Sequence, residues 1–64
     1  MPPHQERVVV EKEQLDEKRE KLSAFACTPL FLKLDNAEQE RLARQGSIMA
    51  EYSAILGERI TAFT

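Results

Sequence analysis

Between Pro3 and Ala26, Val8, Leu15 and Leu22 recur at seven-residue intervals, and Ala26 extends their line. A seven-residue repeat draws a narrow apolar seam down one side of a helix. The other positions carry mostly Glu, Lys, Gln and Arg, with neither glycine nor internal proline to interrupt them. These are strong helix formers, so the pattern predicts a first helix over residues 4–26. Charges flank its seam, Lys12 and Arg19 on one edge and Glu11 and Lys18 on the other.

Thr28-Pro29 ends that helix, because proline disfavours helical backbone in the residue before it. The connector, residues 27–35, contains LFLKL. Leu30, Phe31, Leu32 and Leu34 are expected to form one helical turn that plugs the end of a hairpin. Asp35 reads as an N-cap with Glu38 three positions on, an Asp version of the capping box. A second helix should therefore occupy residues 36–63.

The second helix has a far wider apolar arc. At about 100° per residue, Leu42, Met49, Leu56, Ile60 and Phe63 fall on one flank and Ile48 and Ile55 on the other. One partner helix cannot cover both flanks. The two helices, about 35 Å and about 42 Å long, also differ in reach. The expected fold is all-α: one domain, a two-helix antiparallel hairpin with a short helical turn in the connector, assembling into a homo-oligomeric bundle of four or more copies. Leu42, Ile48, Met49, Ile55, Leu56, Ile60 and Phe63 are the expected oligomer interface.

Composition points the same way. A chain of 64 residues, 42% apolar and without tryptophan, has little private core. Domains below about 70 residues usually need disulfides, metal or self-association to offset the cost of ordering the chain. The single cysteine, Cys27, excludes an internal disulfide and lacks companions for zinc, so a partly buried, inert thiol is expected there. Nine Lys and Arg against eleven Asp and Glu give a net charge of −2 with the signs interspersed, which argues against duplex DNA or RNA as a partner. The polar start MPPHQER and the lack of a long apolar run predict a protein with no membrane segment, kept in a reducing cytoplasm.

Within the apolar arc, Arg41, Gln45, Tyr52 and Arg59 form a polar line. Burying them without partners would cost about 1–3 kcal/mol for each neutral group and more for a charge. Two uses are open. They can pair with Glu11, Asp16 or each other and set the register of the bundle. They can also line a cavity between subunits, where Tyr52 stacks on a base or ribose, Gln45 meets a base edge, and Arg59 with Arg7 or Lys12 grips phosphate. The candidate ligand-binding set is Arg7, Glu11, Lys12, Gln45, Tyr52 and Arg59. Beside this line runs a stripe of small residues, Ala43, Gly46, Ala50, Ser53, Ala54 and Gly57, which should face protein or ligand. Two helical glycines cost about 1 kcal/mol each, and close helix approach is their expected return. Phosphate loop, HExxH, CxxC and nucleophile elbow are all missing from the sequence, and the sole histidine, His4, falls in the N-terminal segment. Binding without catalysis, metal or cofactor is expected.

The segments RVVVEKEQLDEKREKLSAF, FLKL and ERLARQGSIMAEYSAILGERI together resemble a group of small phage and prophage helical-hairpin proteins. Their pattern is a charged helix closing in K-L-x-x-F, a connector, and a helix carrying Q-x-x-x-M-x-x-Y-x-x-x-L-x-x-R-I. It matches Arg7, Glu11, Leu15, Lys21, Leu22, Phe25, Gln45, Met49, Tyr52, Leu56, Arg59 and Ile60. In architecture the group is similar to the hairpin sponges that phages use against CBASS and Thoeris immunity. That resemblance implies a homo-oligomer in the host bacterial cytoplasm that sequesters a small nucleotide, a cyclic oligonucleotide or cyclic ADP-ribose derivative. The alternative is a protein–protein interaction module that inhibits a host or phage protein through an exposed helix face.

Overall fold

A computed structural model describes residues 1–63, which form three helices: α1 (Pro3–Ala26), α2 (Pro29–Leu32) and α3 (Asn36–Thr61). No strand occurs among the described residues. Helices α1 and α3 pack side by side, with Leu22 near Gly46, Asp16 bonded to Ser53, and Lys12 over Gly57. Rising numbers on one helix meet falling numbers on the other, so the pair is antiparallel. The resulting rod measures 46 × 14 × 13 Å.

Local chemistry sets each boundary. Pro3 opens α1, where a missing N–H breaks no helical hydrogen bond. At the other end Thr28 is extended, with ψ 157°, as a residue before proline prefers to be. Its hydroxyl donates to the Phe25 carbonyl at 2.7 Å and accepts from the Phe31 N–H at 3.4 Å, joining the end of α1 to the start of α2. Asp35 caps α3 by accepting from the Glu38 N–H at 2.7 Å. The Glu38 carboxylate turns to Arg41 Nε at 2.8 Å, so only the aspartate half of the expected capping box forms. Gln39 Nε2 donates to the Leu34 carbonyl at 2.9 Å and ties the connector down on α3.

The core is thin. Val8, Leu15 and Leu56 are buried, and Met49, Ile60 and Phe63 pack on them. Leu56 is the one large side chain fully enclosed among the described residues. The connector supplies a partial plug: the Phe31 ring stands edge-on to Phe25 at 6.0 Å between centroids. Leu34 is half-buried beside it, whereas Leu30 and Leu32 are 61% and 73% exposed, contrary to the expectation that all four would cap the hairpin. A four-residue turn cannot aim every apolar side chain inward. Ala26 and Cys27 are exposed too, because the seam of α1 fades after Leu22 as the chain turns away.

Candidate functional site

The face of α3 that meets α1 is centred on Met49, Leu56 and Ile60, with Ser53 and Gly46 along one edge. Four residues expected between copies therefore lie in the hairpin's own seam: Leu56 is buried, and Met49, Ile60 and Phe63 are half-buried against Val8 and Leu15. Leu42 is half-buried at the connector end. Ile48 and Ile55 stay 63% and 54% exposed. The broad arc thus splits into a flank that closes the hairpin and a flank left outside.

The polar line belongs to the outer flank. Gln45, Tyr52 and Arg59 are all exposed, Tyr52 at 42%. Helical rise puts about 10 Å between successive members, so within one chain they do not converge on a single small molecule. Gln45 Nε2 leans on Met49 Sδ at 3.9 Å, and Arg41 is paired with Glu38. Arg7 is exposed and Glu11 half-buried on α1. On a helical wheel both lie across the seam from Lys12, and the antiparallel register puts them at the Arg59 end. Neither Arg7 nor Arg59 joins an ion pair among the described residues.

Lys12 is placed otherwise. Its Nζ pairs with Asp16 Oδ2 at 2.7 Å and its stem lies over Gly57, on the side of the seam away from Tyr52. Arg19 Nη1 reaches Asp16 Oδ1 at 3.0 Å, and Ser53 Oγ donates to the same oxygen at 2.5 Å. The bond from Lys12, then those from Ser53 and Arg19, hold the Asp16 carboxyl well below the usual carboxylate range. Ser53, 3% exposed, makes the one side-chain hydrogen bond between α1 and α3 among the described residues. Register is therefore set by Asp16 and Ser53, and the polar line supplies no partner to Asp16. Ser53 stands in the small-residue stripe and Asp16 among the possible partners of the polar line, but nothing in the sequence pairs the two.

The stripe faces protein at Gly46, Ser53 and Gly57, while Ala43 and Ala54 are exposed. A Cβ on Gly46 would stand 3.5 Å from Leu22 Cδ2, and one on Gly57 3.4 Å from Lys12 Cε. Both are ordinary contacts, so helix approach within the hairpin does not require glycine. Near the connector, α1, α2 and α3 leave a cleft of about 280 Å³ whose lining includes Arg19, Ser23, Phe31, Leu42 and Gly46. Among the described residues no cluster of three His, Cys, Asp or Glu side chains could hold a metal, and no helix is long and apolar enough to cross a membrane.

No curated protein and no solved structure matches the chain. A family model does match, and it extends over residues 2–62, taking in both long helices and the turn between them. This small helical hairpin therefore belongs to the Sequestin family.

Proposed function

We propose that the protein is a non-catalytic phage or prophage sponge that forms a homo-oligomer in the host cytoplasm and sequesters a cyclic-nucleotide immune signal between copies. The family's name, one of sequestration, supports the general activity. The observation that carries the location is the outer flank of α3, where Ile48 and Ile55, 63% and 54% exposed, bracket Tyr52. An apolar stripe of that kind needs a cover. Its order is close to palindromic: Gln45 and Arg59 each stand seven residues from Tyr52. A second copy laid antiparallel on this flank, about a two-fold axis near Tyr52, would set Ile48 against Ile55 and Gln45 against Arg59. That pairing joins Gln45 of one copy to Arg59 of the other and leaves such a pair about 10 Å to either side of the tyrosines, a spacing for an extended ligand that reaches from the axis to one end. Two tyrosines would then flank the axis for stacking on bases, with Arg59, and Arg7 at the same end, supplying charge-assisted bonds to phosphate. Lys12 has no place in this site, since Asp16 already holds it on the other side.

The test is a thermal-shift screen against cyclic dinucleotides, cyclic trinucleotides and cyclic ADP-ribose isomers, followed by mass spectrometry of the released ligand. A binder at one hundred times its dissociation constant stabilises the fold by about 2.7 kcal/mol and is recovered intact. No shift across the panel, in a protein that remains monomeric, would replace this reading with the interaction module, for which the same exposed stripe would be the docking face. Recovery of a cleaved ligand would overturn the absence of catalysis.

A further inference from the structure

The cleft at the connector end has a shape that hairpin packing does not explain. Glycine is among the weakest helix formers, yet Gly46 lies near the middle of α3, and a methyl group there would meet Leu22 only at ordinary contact distance. What the missing side chain does provide is room at the floor of the cleft, whose lining includes Gly46. Phe31 forms an aromatic wall and is braced edge-on by Phe25. Arg19 stands at the rim.

Among the described residues, Arg19 is the one charged residue in the cleft lining. Its partner Asp16 is shared with Lys12, which lies outside the cleft over Gly57, so a single carboxylate serves two cations in that cluster. Arg19 commits Nη1 to Asp16, and the rest of its guanidinium donors remain for a ligand. The Ser23 hydroxyl adds a neutral donor or acceptor beside it. A volume of about 280 Å³ falls just below the range for drug-sized ligand pockets, about 300–1,000 Å³, and suits one or two fused rings.

We propose that this cleft binds a small planar aromatic anion, an aromatic carboxylate being the simplest, with its ring on the Gly46 floor against Phe31 and its charge on Arg19. The site is complete within one hairpin and shares no residue with the Tyr52 flank. It stands whether or not the cyclic-nucleotide reading does.

The test is a titration of the full chain with 1-naphthoate, followed by amide NMR. Saturable shifts are expected at residues 22–26 and 42–46, with half-saturation at about 1 mM for a ligand of this size. Arg19→Gln should weaken binding about tenfold, the loss of one charge-assisted hydrogen bond, and neutral 1-naphthamide should bind the native chain about tenfold more weakly than the anion. Lys33→Gln removes the same charge outside the cleft and should change affinity less than about twofold. Gly46→Val should fill the floor and abolish the shifts; if that variant loses its helical signal, Arg19→Gln and the naphthamide comparison decide. Shifts centred on residues 48–59, no saturable shift, or equal losses from Lys33→Gln and Arg19→Gln would each overturn the proposal.

Discussion

Two neighbouring residues, Ile55 and Leu56, test how the apolar arc of α3 is divided. Leu56→Ala removes three carbons from a side chain that is 0% exposed. At about 0.8 kcal/mol per buried methylene, transfer alone gives about 2.4 kcal/mol, and the cavity brings the loss into the range of about 2.5–5 kcal/mol. A chain of this length has a total stability of about 3–10 kcal/mol, so the variant should sit near the edge of folding at room temperature. Ile55→Ala trims a side chain that is 54% exposed in the single hairpin. There it should cost less than about 1 kcal/mol. If copies pack on this flank, the cost of Ile55→Ala rises towards about 2 kcal/mol and the stability of the native protein grows with its concentration. Urea denaturation followed by far-ultraviolet circular dichroism, repeated over about a hundredfold range of protein concentration, reads both quantities. A Leu56→Ala loss below about 1 kcal/mol would refute the seam described here. An Ile55→Ala cost that stays small, with no concentration dependence, would refute assembly through the outer flank and leave the seam intact.

The lowered Asp16 pKa fixes the sign of an acid effect. A carboxylate held more acidic in the folded state contributes stability that is fully present above its unfolded pKa, near 3.8, and is lost as pH falls from there towards the folded value. Thermal melts should therefore drop between about pH 4 and pH 2, and Asp16→Asn should lower stability at pH 7 while flattening that drop; an unchanged profile would show that the cluster does not couple to folding. Gly57→Ala should raise stability by about 0.5–1 kcal/mol, since helix propensity improves and the flexible Lys12 stem can give way. A loss in urea denaturation would instead mean that a neighbour outside the single hairpin needs the space. Arg59→Ala should weaken binding of a hit from the nucleotide panel by about 1.5–3 kcal/mol with the oligomer unchanged in light scattering, and normal affinity by calorimetry would remove Arg59 from the site.

Much of the secondary structure is written in local chemistry. Thr28-Pro29 and the Asp35 cap divide the chain at the points where α1 ends and α3 begins, because those effects act over a few residues and need no distant partner. The apolar arc of α3 also showed in the periodicity as too wide for one partner, and Ile48 and Ile55 do remain exposed. Periodicity could not say which part of that arc α1 would take. Gln45, Tyr52 and Arg59 sit near its centre on a helical wheel, yet α1 packs to one side of them, where Ser53 reaches Asp16. That choice depends on a contact between residues 37 positions apart, and a one-helix pattern contains no information about it. The same docking side sets Ser53 on the carboxylate that Lys12 and Arg19 already share within α1 and opens the cleft over Gly46, so which face of α3 turns to its partner was decided only when the two helices met.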